Sequence, residues 1–109
     1  TLILVRVANL PAFQERSIRV NPVDRKNLNR VFPGRPDGTL TERIAHVLST
    51  EVIARADAVV DIHSGDGHED LRPWTGYYAK IGRPDVISQS RAMAAAAATK
   101  ASSDCIARR

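Results

Sequence analysis

The sequence predicts an α/β fold, a partial and mostly parallel sheet with flanking helices. Three features of the 109 residues predict it. Short apolar runs without helical period alternate with amphipathic stretches. A helix-initiation signature stands between the first two runs. A long loop bearing prolines and glycines separates the first run from that helix. Parallel strands need helical crossovers, and such alternation supplies them. Three strands and two helices are too few to cover a parallel sheet on both faces. The sheet is therefore expected to be incomplete, with apolar surface bare unless other segments cover it.

Leu2 to Val7 is a nearly continuous run of branched apolar residues, broken at Asn9 and Pro11, with the length of a buried strand. Asn21 to Gly38 holds three prolines, two glycines and several asparagines, which predicts a long ordered loop of the kind that carries function. Thr39-Leu40-Thr41-Glu42 is a T-x-x-E capping box that opens a helix. Ile44, Val47, Leu48 and Val52 then repeat at three- and four-residue spacing and form the stripe expected to pack on the sheet. Ala58 to Ile62 reads as a second buried strand and Tyr77 to Ala79 as a short third one. Asp85 is expected to cap a final helix through the alanine tract.

The apolar share of 43% and charged share of 26% are those of a folded globular chain. At this length one modest core and one domain, residues 1–109, are expected. No run reaches the roughly eighteen apolar residues that span a bilayer, so no membrane partner is expected. The opening Thr-Leu-Ile-Leu-Val has no initiator Met and no basic leader with a cleavage site, and reads as a cut. Cys105 is the single cysteine, which suits a reducing, cytoplasmic compartment. The net charge of +4 comes from 16 basic and 12 acidic residues. The basic residues are scattered rather than interleaved with aromatics, which disfavours nucleic acid and suits a small anionic molecule.

Two constellations carry chemistry. Asp61-Ile62-His63-Ser64-Gly65 stands at the predicted end of the second strand, the sheet edge where ligands gather. Period two puts Asp61 and His63 on one side, so the carboxylate can fix the tautomer of a ligating imidazole. A histidine merely hydrogen-bonded at a strand end would look the same. Asn27-Leu28-Asn29-Arg30 lies inside the loop. A guanidinium fork holds a carboxylate through two parallel hydrogen bonds and an asparagine amide adds a donor, which makes an anchor for an acidic substrate. A solvated loop arginine is the plain alternative.

The run from Arg19 through Asn21-Pro22, Asn27-Leu28-Asn29-Arg30 and Phe32-Pro33-Gly34, followed by Asp61-Ile62-His63-Ser64-Gly65, resembles the succinylglutamate desuccinylase and aspartoacylase family. It is most similar to the bacterial ectoine-utilisation branch, which acts on N-acetyl-diaminobutyrate. Val7-Ala8-Asn9 and Trp74-Thr75-Gly76-Tyr77-Tyr78 extend the resemblance, which covers most of residues 2 to 79. It implies a fold like that of the zinc carboxypeptidases and a zinc-dependent deacylase whose partner is a small N-acyl amino acid. It implies two histidines and a glutamate on zinc, with His63 as the second histidine and Asp61 behind it. Asn29 and Arg30, beside Asn27, match the pair that grips the substrate carboxylate, and Arg19 matches the arginine that polarises the scissile carbonyl. No His-x-x-Glu occurs in these residues, so the first histidine, the glutamate ligand and the general base are unmatched, and the chain reads as the centre of a longer catalytic domain.

Other readings use the same residues. Asp61, His63, Asp66 and His68 form a local string that could bind a divalent metal, although Gly65 and Gly67 loosen it. A non-catalytic module could hold an acidic ligand through Arg19 and Arg30. His46, on a helix flank, is assigned no role; Tyr77 and Tyr78 could close a pocket but read as packing residues, and Trp74 reads as structural, with a lid role as the weaker alternative. The acyl group and the oligomeric state are not encoded in any pattern found.

Overall fold

The computed structural model describes residues 1–63, 67–70, 72–79 and 82–106, with residues 99–106 by their backbone alone. Its elements are α1 (Leu10–Gln14), a 3-10 turn at Leu28–Arg30, α2 (Leu40–Val47) continued by a π turn at Leu48–Val52 and a 3-10 turn at Ile53–Arg55, and α3 (Pro84–Ile106). The described residues divide into two compact units, Thr1–Glu69 and Asp70–Arg109.

In the first unit, Asn9 starts α1 by accepting the Ala12 N–H on its side chain at 3.4 Å and the Phe13 N–H on its carbonyl at 3.0 Å. Pro11 fits the first turn because its missing N–H would have had no helical partner. The expected capping box opens α2, with Glu42 Oε2 accepting the Thr39 N–H at 2.8 Å. Thr41 and Ala45 are fully buried. Farther along, the Ser49 hydroxyl donates to Ala45 O at 2.8 Å and the Thr50 hydroxyl to His46 O at 3.0 Å. Such hydroxyls compete for helical carbonyls, which accounts for the widening to a π turn over these residues.

The expected sheet does not form. Among the described residues, Leu2–Val7, Ala58–Ile62 and Tyr77–Ala79 are all outside any strand, and every regular element is helical. The α/β reading, with its carboxypeptidase-like layering, is thereby corrected. Leu2 is 85% exposed, Val60 65% and Ile62 89%. An apolar run records what its side chains would bury, but a strand exists only where a neighbour supplies donors and acceptors for a ladder. Among the described residues no ladder joins these runs to a neighbour. The apolar stripe of α2 accordingly has no sheet to pack on. Leu40, Ile44, Val47 and Leu48 instead line an open groove of about 370 Å³ with Val5, Val7 and Ala8.

In the second unit, α3 starts at Pro84. Asp85 lies inside the first turn rather than at the cap, and accepts from Arg83 Nη2 at 2.8 Å. That guanidinium, and then the Val86 N–H, hold the Asp85 carboxyl below its usual range. The Thr75 hydroxyl donates to Ala94 O of α3 at 3.0 Å. No described helix is long and apolar enough to cross a membrane.

Candidate functional site

The long loop owes its shape to Asn21, which is fully buried. A buried amide is costly unless its polar atoms are paired, and Asn21 pairs both ends of its side chain and of its backbone. Its Nδ2 donates to Asn9 Oδ1 at 3.2 Å, and its Oδ1 accepts the Val23 N–H at 3.0 Å. Its backbone N–H donates to Lys26 O and its carbonyl accepts the Arg25 N–H, both at 2.9 Å. Residues 21 to 26 thus close on themselves, with Arg25 at φ 60 making the turn.

This closed turn is fastened to α2. Asp24 Oδ2 accepts the Thr41 N–H at 2.8 Å and Oδ1 accepts the Thr41 hydroxyl at 2.6 Å. Burial pushes the Asp24 carboxyl up, but hydrogen bonds from Thr41, Thr39 and Lys26 outweigh it and hold the group well below the usual carboxylate range. Lys26 Nζ lies 3.0 Å from Glu42 Oε1. On the far side of the loop, Gly34 sits at φ 83 directly against α2, where a β-carbon would overlap the backbone of Glu42, Ala45 and His46. Only glycine permits that approach. Arg35 N–H donates to Glu42 O at 3.1 Å.

Between these fastenings lies the Leu28–Arg30 turn. Asn27 caps it, its side chain accepting the Asn29 N–H at 2.9 Å, while Arg30 N–H donates to Asn27 O at 3.0 Å. Asn29 and Arg30 are exposed. The three residues singled out as a carboxylate anchor therefore stand on or at the cap of one short turn, with the side-chain oxygen of Asn27 spent on the backbone and the amide of Asn29 beside the guanidinium-bearing residue.

Arg19 is held differently. It sits at φ 66, and the Val20 N–H closes the turn around it onto Ile18 O at 2.8 Å. Its Nη2 lies 3.6 Å from Glu69 Oε1. Arg19 also lines an open cleft of about 570 Å³ with Phe13, Arg16, Ile18 and Gly67. The structure thus brings Arg19 to the segment that follows His63.

His63 Nε2 lies 2.9 Å from Asp61 Oδ2, both side chains largely exposed. That leaves Nδ1 as the ring nitrogen not engaged with Asp61. Ser64, Gly65 and Asp66 lie outside the described residues, so the local Asp and His string is only partly described. Among the described residues no hydrogen bond or ion pair joins His63 to Asn29 or Arg30. Nor do those residues gather three His, Cys, Asp or Glu side chains able to hold a metal ion. A catalytic zinc needs three protein ligands. His63 with Asp61 behind it fits one position of such a site and not a complete one.

Asn9, Asn21, Asp24, Thr41 and Gly34 carry no expected role in the site, yet they shape the loop that carries Arg30. Asn21-Pro22 and Asp24-Arg25-Lys26 do carry a signal, because Asn and Asp side chains bond their own backbone two residues on. The Asp24 to Thr41 link spans 17 residues and has no local signature.

A family model described as the succinylglutamate desuccinylase/aspartoacylase catalytic domain matches residues 1–106. The N-alpha-acetyl-L-2,4-diaminobutyric acid deacetylase of Halomonas elongata is 37% identical over 97 residues, which is 89% of this chain and 27% of that protein. The chain therefore spans about a quarter of the length of this curated relative. No solved structure gives a significant match.

Proposed function

Because the chain belongs to the succinylglutamate desuccinylase/aspartoacylase catalytic-domain family, we propose that it forms the substrate-gripping part of a zinc-dependent deacylase. The substrate class is an N-acyl amino acid such as N-acetyl-diaminobutyrate. The reaction is hydrolysis of the amide: water adds, the carbon–nitrogen bond breaks, and an acid and an amine leave. The 109 residues act as part of one catalytic domain, working in the cytoplasm without nucleic acid or membrane.

The observation that carries this reading is the turn at Leu28–Arg30, which offers an exposed asparagine amide and an arginine side by side on a short, capped support. A guanidinium fork of this kind suits a carboxylate, and holding the substrate there fixes where its amide stands. Arg19 would face the oxygen of the scissile carbonyl, where a fixed positive charge favours the developing negative one. His63, oriented by Asp61, would give one ligand to zinc, whose chemistry in such a site is to polarise a carbonyl and acidify water.

The test is kinetic and uses the full-length gene product with N-acetyl-L-2,4-diaminobutyrate, following acetate release. His63→Ala is expected to lose bound zinc and turnover together. Arg30→Ala is expected to keep its zinc and raise KM by about 10- to 100-fold, the effect of losing a charged pair in binding. Unaltered kinetics in Arg30→Ala would remove the anchor from the reading.

A further inference from the structure

The residues of the proposed carboxylate grip do not fix their own position. The Leu28–Arg30 turn is closed by local bonds from Asn27. Three residues upstream of Asn27, Asp24 is tied to Thr41 by two short hydrogen bonds across 17 residues of chain. Four residues downstream of Arg30, Gly34 rests on the backbone of α2. Thr41 is fully buried, whereas Asn29 and Arg30 are exposed. The turn is therefore supported by α2, through Asp24 and Lys26 on its upstream side and Gly34 and Arg35 on its downstream side. Gly34 is a passive contact and Lys26 meets Glu42 through one partly exposed ion pair, whereas the Asp24–Thr41 pair makes two directional, charge-assisted bonds to a fully buried residue.

We propose that Asp24 and Thr41 are positioning residues for the substrate carboxylate grip. The Asp24 carboxylate, held by the hydroxyl and N–H of Thr41, sets where Asn29 and Arg30 stand and so tunes substrate affinity without touching substrate. The proposal rests on the reading of Arg30 as the anchor. Its physical basis is that a bidentate guanidinium contact tolerates little displacement. A shift of about 1 Å in a binding group can cost on the order of 100-fold. A loop without the Asp24–Thr41 tie, left with the partly exposed Lys26–Glu42 pair upstream and Gly34 and Arg35 downstream, would sample such shifts, and each would weaken the grip while leaving the reacting centre as it was.

The experiment uses the full-length gene product and N-acetyl-L-2,4-diaminobutyrate. Thr41→Val removes the hydroxyl at nearly constant volume, Thr41→Ser restores it, and Asp24→Asn keeps the shape while weakening the acceptor. Thr41→Val is expected to raise KM about tenfold with kcat within about twofold and zinc content unchanged, and Thr41→Ser to return KM to within about twofold of the parent. Asp24→Asn is expected to raise KM in the same direction, and gives the answer by itself should Thr41→Val fail to fold. Made in an Arg30→Ala background, Thr41→Val and Asp24→Asn should add a rise well short of the one they cause alone, because only Asn29 is left to act through. Full additivity with Arg30→Ala, or a lowered melting temperature with unchanged KM in both variants, overturns the positioning role. Arg30→Ala alone separates the two ideas. If it leaves KM unaltered the anchor itself is lost, whereas a raised KM there beside unaltered KM in Thr41→Val and Asp24→Asn sinks only the role of Asp24 and Thr41.

Discussion

Arg19 occupies a backbone region that a residue with a β-carbon enters at a cost. At φ 66, with the Val20 N–H bonded to Ile18 O, the cost is about 1 to 2 kcal/mol relative to ordinary backbone. Glycine would enter the same turn nearly free. Glycine would lose the side chain that lines the cleft and lies near Glu69, and an exposed ion pair of that kind contributes little to stability. Arg16 and Arg25 share this positive φ, so the strain belongs to the turns of this segment as much as to Arg19. Arg19→Gly is therefore expected to be more stable than Arg19→Ala by about 1 kcal/mol in urea denaturation, since alanine keeps the strain and loses the charge. Both variants should lose amide hydrolysis to the same degree. An alanine variant as stable as the glycine one would show that the turn holds no strain.

At the scale of the element, α2 was legible and its surroundings were not. Thr39 and Glu42 lie three residues apart, and the Ile44, Val47, Leu48 and Val52 stripe is a local repeat, so both signals sit within one stretch of chain. Two local pairings in the candidate site read the same way, although no strand presents the first of them. Asp61 and His63, two residues apart, do meet, and Asn27 to Arg30 do share one turn. What joins Asp24 to Thr41, Lys26 to Glu42 and Gly34 to α2 is non-local, and no spacing rule reports it. Leu2–Val7 and Ala58–Ile62 failed for the opposite reason. Their composition is that of strands, but pairing is decided by partners, and composition says nothing of whether a partner is beside them. The tight seat of Gly34 yields its own expectation. Gly34→Ala places a methyl group against the backbone of α2 at a positive φ, and should destabilise the first unit by about 3 kcal/mol or more, read from its denaturant midpoint. A cost below about 1 kcal/mol would mean that the loop lifts off α2 easily.

For the molecule as a whole, the balance of surface is the unusual feature. Among the described residues only Ala45 is a buried apolar residue, while Leu2, Leu4, Val59, Val60 and Ile62 are all exposed. Two of these runs are rich in branched side chains and have no ladder partner among the described residues, a combination that favours pairing with another chain. The groove of about 370 Å³ beside α2 adds a further apolar surface. Water is a poor solvent for both, at about 25 cal/mol for each Å² of apolar surface that association would remove. The 109-residue chain by itself is thus expected to associate as its concentration rises and to bind a hydrophobic dye, measured by sedimentation and fluorescence. Leu2→Lys with Leu4→Lys should reduce both, because charge on such a segment opposes pairing. The helical circular dichroism should be preserved, since α2 takes its start from Thr39 and Glu42 rather than from the first residues. A chain that stays monomeric at high concentration and leaves the dye dark would show that these apolar runs find cover among its own residues in solution.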